Sequence, residues 1–281
     1  MKVLILGDLH CRSIWKEIVA KEGESCDKII FLGDYTCPRE VKFDDPTDAC
    51  GFLYDILDFK DRNPDKVVLL RGNHDLCSLG YYWARCWPQD HLKVIQYWQT
   101  EDVKNWFLKN TQWIYIIPYT GIVCSHAGIS KQWEKNVRKH FNMMGHDYDL
   151  DSEVIIDLEL INHIEPCELF AFTPCKLSDY SGESATQPCT WIRPYTLLQY
   201  GIKGITQVVG HTPTEHICNI KEECIRTRNE LGITEGEEKV EDYCDIWCCD
   251  NLQNEEYLII ENGEFKVKKV ESSSFLKIRN R

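Results

Sequence analysis

The chain has 281 residues, with 45 acidic against 32 basic side chains and a formal net charge of −13. General nucleic-acid binding draws on clustered Lys and Arg that replace counterions on phosphates, so this acid balance argues against it. With 43% hydrophobic and 27% charged residues, the composition is that of a globular protein rather than a disordered one. No apolar run approaches the about 18 residues needed to span a bilayer. Asp8 interrupts the first apolar run too early for a secretory signal. The 15 cysteines are odd in number and scattered from Cys11 to Cys249, which suits buried free thiols in a reducing compartment. Cys244, Cys248 and Cys249 lack the paired Cys-x-x-Cys spacing of a structural zinc site. The expectation is one soluble, cytoplasmic domain over residues 1–281, with no membrane partner and an oligomeric state left open.

In chain order, Lys2 to Leu6 reads as a strand, residues 12–22 as a helix and Lys28 to Leu32 as a second strand. Residues 47–60 form an amphipathic helix carrying Phe52, Leu53, Ile56 and Leu57, and Val67 to Leu70 is a third strand. Fully apolar strands alternating with helices predict an α/β sheet covered on both faces. Strands at Gln112 to Ile117 and Gly121 to Cys124 flank the turn Pro118-Tyr119-Thr120-Gly121. Residues 130–165 read as mainly helical, and 173–194, rich in Ser, Pro, Gly and Thr, as a long functional loop. Further strands are predicted at Thr206 to Val209, near 242–249, at Glu256 to Ile260 and at Phe265 to Val270, with Asn262-Gly263 as a hairpin turn. The acidic stretch 229–242 reads as an exposed loop, and the tail after Lys277 as frayed.

Three strands end alike. They run into Gly7-Asp8-Leu9-His10, Gly33-Asp34 and Gly72-Asn73-His74-Asp75, and two later strands add Ser125-His126-Ala127-Gly128 and Gly210-His211-Thr212-Pro213. Ligands of open α/β sheets bind outside the carboxyl ends of the strands. Parallel pairing would therefore gather Asp8, His10, Asp34, Asn73, His74, His126 and His211 from five loops at one edge. Carboxylates mixed with imidazoles suit Mn²⁺, Fe or Zn²⁺ better than Ca²⁺. One aspartate can bridge two ions, and such a pair activates water for attack on a phosphoryl group.

Taken in order, these motifs resemble the calcineurin-like metallophosphoesterase superfamily. Leu69-Leu70-Arg71-Gly72-Asn73-His74 is similar to its phosphoprotein phosphatase branch, especially the small bacterial and phage members. Pro188-Cys189-Thr190-Trp191-Ile192-Arg193-Pro194 resembles that branch's Trp-x-Arg substrate loop. The resemblance implies a four-layer α/β/β/α sandwich with two facing mixed sheets. It implies two divalent ions, Mn²⁺ foremost with Fe or Zn admissible. Asp8 and His10 would hold the first, Asp34 would bridge, and Asn73, His126 and His211 would hold the second. His74, with Asp75 beside it, would be catalytic, His74 protonating the leaving oxygen. Arg193, with Asn73 and Arg39, would bind the substrate phosphate, while Arg71 has a structural reading. The implied reaction is hydrolysis of phosphoserine or phosphothreonine in proteins, or of a small phosphoester, by a hydroxide bridging the metals and without a covalent phosphoenzyme.

The sequence departs from the family at three places, one of them Asp75 in place of the glutamate usual in the phosphoprotein branch. Cys37 stands where an aspartate usually supports the acid histidine, and Arg39 lies one place after the usual phosphate-binding arginine. Asp75-Leu76 and Ile129 with Gln132-Trp133 resemble diadenosine tetraphosphate hydrolases, which makes a dinucleotide polyphosphate the alternative substrate. A non-catalytic metal-binding scaffold is the reading from another class, and it has no use for His74.

Overall fold

A computed structural model describes residues 1–35, 37–39, 48–79, 100–151, 158–164, 181–231 and 243–270. Strands β1 (Lys2–Leu6), β2 (Lys28–Phe31) and β3 (Val67–Leu70) pair in parallel, β1 with β2 and β2 with β3. Helices α1 (Ile14–Glu22) and α2 (Asp48–Arg62) connect them. Both faces of these strands are buried, which is why their sequences are apolar without alternation. Leu4, Leu6, Ile29, Phe31 and Leu69 pack outward against Trp15 and Ile18 of α1 and Leu53 and Ile56 of α2. Val3, Ile5, Ile30, Val68 and Leu70 face the other way, toward a second sheet.

That second sheet runs β5-β6-β7-β9-β8, with β5 (Ile114–Ile117), β6 (Ile122–Ser125), β7 (Thr206–Pro213), β8 (Cys218–Asn219) and β9 (Asp245–Asp250). Its Ile122, Cys124, Val208 and Cys249 meet the inner face of the first sheet. Its other face packs against helices, among them the one over Lys131–Met143. The result is the expected pair of facing mixed sheets with helices outside. The first sheet is completed by β10 (Glu256–Glu261), antiparallel to β1, and β11 (Glu264–Lys269). Their turn at Asn262-Gly263 has φ 54° and 85°, the two left-handed residues that a type I′ hairpin turn requires.

The structure corrects several boundaries. The run Gln112 to Ile117 breaks at Trp113. Its first part, β4 (Thr111–Gln112), joins β3 in the first sheet, and β5 opens the second. Trp113 is fully buried between them and donates its indole N–H to the Ile164 carbonyl at 2.9 Å. Helices α3 (Asn73–Ser78) and α4 (Glu101–Asn110) precede β4. Among the described residues, the helical stretch after residue 130 consists of α5 (Lys131–Met143), capped by the Ser130 hydroxyl accepting from Trp133 N–H, and a 3₁₀ turn at Leu158–His163; residues 152–157 lie outside the described residues. Gly145, at φ 99°, follows the end of α5. The long loop ends earlier than expected: Pro194 opens α6 (Pro194–Tyr200), where its missing N–H costs nothing. Helix α7 (Ile220–Glu230) was not foreseen. Residues 173–180, 232–242 and 271–281, which carry the rest of the loop, the acidic stretch and the tail, lie outside the described residues. Among the described residues no helix is long and apolar enough to cross a membrane.

Candidate metal centre

The candidate ligands sit where five strands end. Asp8 and His10 follow β1, Asp34 follows β2, Asn73 opens α3 after β3, His126 follows β6, and His211 lies within β7. His10, Asp34 and His211 adopt left-handed backbone conformations, with φ 44°, 52° and 65°. Such residues cost free energy and persist where their surroundings over-determine them, most often at functional sites. Here the twist turns each side chain back over the sheet edge. The backbone must also come close: a Cβ on Gly72 would collide with the Asp34 carboxylate, so no other residue fits there.

The side chains converge. His10 Nε2 lies 3.7 Å from both Asp8 Oδ2 and Asp34 Oδ2, and His126 Nε2 lies 3.7 Å from Asp34 Oδ2 on the other side. Asn73 Oδ1 is 2.8 Å from His126 Nε2 and 3.0 Å from His211 Nδ1. Asp34 thus belongs to two overlapping sets of metal-binding geometry, one with His10 and His74 and one with Asp8 and His126. Around these atoms the protein has fixed orientation. His10 Nδ1 is 2.8 Å from the Cys37 carbonyl and His126 Nδ1 is 2.8 Å from the Leu32 carbonyl. A carbonyl only accepts, so each Nδ1 carries the proton, and a neutral His10 presents its Nε2 lone pair inward. One oxygen of each aspartate is likewise occupied: His211 N–H donates to Asp8 Oδ1 and His74 N–H to Asp34 Oδ1, both at 2.9 Å.

The remaining atoms show that the residues fit a metal pair. Asp8 Oδ2, His10 Nε2, Asp34 Oδ2 and His211 Nε2 are buried and have no hydrogen-bond partner among the described residues. Leaving one such atom unpaired costs about 1–3 kcal/mol, so four in one spot call for cations. Carboxylate, imidazole and amide donors together suit first-row divalent ions. The protonation states agree. Burial pushes His10 down to about 3 and lowers His211 strongly, so both imidazoles are neutral, the ligating form. Burial would raise Asp34, but the facing His126, and after it His74, hold it well below the usual carboxylate range. Asp8 is pushed up by burial and then by the charge of Asp34, a repulsion that divalent ions between the two would relieve.

His74 is set apart by its openness, with its side chain 15% exposed while those of Asp8, His10, Asp34 and His126 are at 0%. Its Nε2 lies 3.9 Å from Asp34 Oδ2, its ring stands edge-on to His10, and its Nδ1 has no hydrogen-bond partner among the described residues. Cys37 is buried, and its carbonyl serves His10. Asp75, expected beside His74 as a catalytic residue, turns to the backbone instead: its oxygens accept from the N–H groups of Gly72, Asp34 and Tyr35 at 2.8–3.0 Å. It ties the loops after β2 and β3 together. Arg71 is structural, donating to Thr111 Oγ1 and to the Leu108 and Thr111 carbonyls while stacking over Trp113.

At the rim, Arg193 donates to Thr212 Oγ1 at 3.0 Å and to the Ser181 carbonyl at 3.1 Å, and Trp191 packs against the His211 ring. Arg39 Nη1 lies 3.7 Å from Asp250 Oδ2. Asp250 was missed in the sequence. It ends β9 and is buried, and neither oxygen has a hydrogen-bond partner among the described residues. An aspartate closing an apolar strand, as after β1 and β2, was the available signal. Burial and Asp8 push Asp250 up, and Arg39 opposes them; divalent ions in the adjacent cluster would favour its ionised form.

Over about 95% of its length the chain is similar in fold to solved structures, among them two. A cold-active protein tyrosine phosphatase superposes with a TM-score of 0.53 at 17% identity, covering 95% of this chain and 78% of that one. A metallophosphoesterase from Sphaerobacter thermophilus gives 0.43 at 15% identity, covering 96% and 89%. No curated protein matches the chain significantly. The calcineurin-like phosphoesterase family model matches residues 1–215, which contain every candidate ligand, and the chain belongs to that family.

Proposed function

We propose that the chain is a two-metal phosphomonoesterase acting on phosphoserine or phosphothreonine in proteins. The observation that carries this reading is Arg193, fixed by Thr212 and Ser181 beside His211. A terminal phosphate dianion needs a planar fork of donors opposite the metal ions, and a guanidinium supplies one. Asp8, His10 and Asp34 would hold one ion, and Asp34, Asn73, His126 and His211 the other, with Mn²⁺ the proposed metal. When bound, the pair would polarise the phosphoryl oxygens and make water a nucleophile near neutral pH. The chain's own part is to orient the phosphate through Arg193 and to supply a proton to the leaving oxygen from His74, the open imidazole of the cluster.

A groove of about 640 Å³ leads away from Arg193 past Tyr195, Thr214 and His216. It is lined by Glu183, Glu215 and Glu223 against Arg193 and Arg226, and Arg226 is already paired with Glu223. Such a groove suits a peptide better than the several extra charges of a polyphosphate. Asp75 carries no weight for the dinucleotide alternative, because its task is to brace backbone. Cys26, Cys124, Cys189, Cys244, Cys248 and Cys249 are buried free thiols, which supports a cytoplasmic setting. The test is a side-by-side hydrolysis panel on the Mn²⁺-loaded chain. Its arms are phosphoserine, phosphothreonine and phosphotyrosine peptides, diadenosine tetraphosphate and a cyclic nucleotide. The highest kcat/KM is expected on phosphoserine or phosphothreonine, and a clear preference for the dinucleotide would overturn the substrate while leaving the two-metal chemistry in place.

A further inference from the structure

We infer that the chain carries a second, non-catalytic site: the cavity between α5 and the end of α6 binds a nucleoside polyphosphate. This cavity of about 520 Å³ shares no residue with the metal centre or with the groove beside Arg193. Ligand pockets commonly run from about 300 to 1,000 Å³, so a nucleotide has room here. Among the described residues lining it, Lys131, Lys135, Arg138 and Lys203 stand against one acid, Asp151. In a chain of net charge −13, such a gathering of cations runs against the overall balance. The groove beside Arg193 has the opposite sign, with three glutamates against two arginines.

The placement of these cations costs the fold something, and a bound anion would offset it. Lys131 and Lys135 lie four apart on α5, on one face, where like charges repel. Lys131 is also the first residue of α5, the end at which the helix dipole disfavours a cation. Arg138 is engaged inside the fold: Nη2 donates to Glu134 Oε2 at 2.8 Å and Nη1 to the Asp149 carbonyl at 2.7 Å. It stiffens the wall that carries Asp151 and leaves a ligand's charge to Lys131, Lys135 and Lys203. Asp151 meets Lys135 at 3.3 Å, but its side chain is 96% exposed, and a surface pair of this kind is held weakly. A more highly charged anion would displace it. Backbone pairing of Ser130 with Gly201 ties the facing walls together, so they stand in place before a ligand arrives.

The rest of the lining fits a nucleoside. Tyr200, half exposed, offers an aromatic ring on which a base can stack. The amides of Gln132 and Gln199 each carry donors and an acceptor for base edges or sugar hydroxyls. Lysines are compact point charges suited to phosphate, and three of them match a run of phosphates better than a single one.

The test titrates ATP into the full-length chain after its metals have been chelated and removed, with binding followed by calorimetry. No metal then draws the nucleotide to the catalytic centre. One saturable site is expected, and its Kd should rise with added salt. Lys131→Ala and Lys203→Ala, both at exposed positions, should each weaken ATP binding ~10-fold, the loss of one charge-assisted contact. Tyr200→Ala should weaken ATP by a similar factor and leave the affinity for inorganic tripolyphosphate unchanged, which separates stacking from damage to the fold. Arg193→Ala should bind ATP as the wild type does. Absence of saturable ATP binding would overturn the site, as would binding that Arg193→Ala abolishes and the lysine variants retain. Tripolyphosphate that binds as tightly as ATP, with Tyr200→Ala affecting neither, would overturn the nucleoside assignment.

Discussion

His10 Nε2 and Asp34 Oδ2 stand 3.7 Å apart, both completely buried, and neither has a hydrogen-bond partner among the described residues. The spacing is that of two atoms arranged around a third. Binding of an ion to the folded chain alone stabilises it by mass action, ~2.7 kcal/mol at a hundred times Kd. Adding Mn²⁺ to chelated protein should therefore raise Tm by roughly 5–10 °C. The sheets should survive chelation, because their core does not include the ligands, whereas turnover should vanish and return with Mn²⁺. Asp34→Asn should remove most of the Mn-dependent rise in Tm. Calorimetric scans with and without Mn²⁺ decide the matter, and full activity after exhaustive chelation would refute the metal centre.

His74 poses a sharper question, since its Nε2 is near enough to Asp34 to join a ligand set and yet its ring is the open one. As a general acid, His74→Asn should keep near-normal Mn content while losing ~10²–10⁴-fold in rate. The deficit should shrink on p-nitrophenyl phosphate, whose leaving group needs little protonation. Metal loss in the variant would make His74 a ligand, and an equal loss of rate on both substrates would make it structural.

Much of this was legible in the sequence, for physical reasons. Strands β1 to β3 are buried on both faces, so they appear as uninterrupted apolar runs. The site follows because each run ends in a glycine and a polar ligand. What stayed hidden depended on tertiary partners. The break at Trp113 arises from a buried indole bonded to Ile164. Helix α7 buries only Ile220 among its own residues, so it has no apolar stripe to betray it. Asp75 and His74 are neighbours in sequence, but one accepts from backbone of another loop while the other faces the cluster. Asp250 acquires meaning only beside Asp8 and Arg39.

Asp75 gives a stability prediction independent of the metals. Its oxygens take three backbone N–H groups across two loops, burial and the charge of Asp34 push its carboxyl up to about 7, and leaving a buried donor unpaired costs about 1–3 kcal/mol. Asp75→Asn keeps the shape but replaces one accepting oxygen by a donor facing other donors. Urea unfolding should show a loss of at least ~1 kcal/mol in chelated protein, where the metal contribution is absent. A variant with unaltered midpoint in chelator would leave Asp75 without its bracing role.

Glu22, far from the site, ties the end of α1 to both edges of the β11-β10-β1 part of the first sheet. Its Oε1 accepts from Lys268 Nζ at 2.7 Å and Tyr257 Oη at 3.2 Å, and Oε2 from Lys2 Nζ at 3.2 Å. Burial alone would raise its pKa, but the hydrogen bonds from Lys268 and Lys2, with their charges, bring it below the ordinary value. A carboxyl lowered in the folded state binds protons more weakly there than when unfolded. Its contribution is therefore fully present above the unfolded pKa of about 4.3 and disappears as pH falls through the folded value. Because both lysines remain partly in water, the ion-pair share is screened, and Glu22→Gln should cost about 1 kcal/mol at neutral pH. That gap between wild type and variant should stay level from about pH 8 to 6 and close between about pH 5 and 3.5. Urea midpoints measured for both proteins across this range give the answer. A gap that persists or widens on acidification would mean that the carboxylate charge is not what holds α1 to the hairpin.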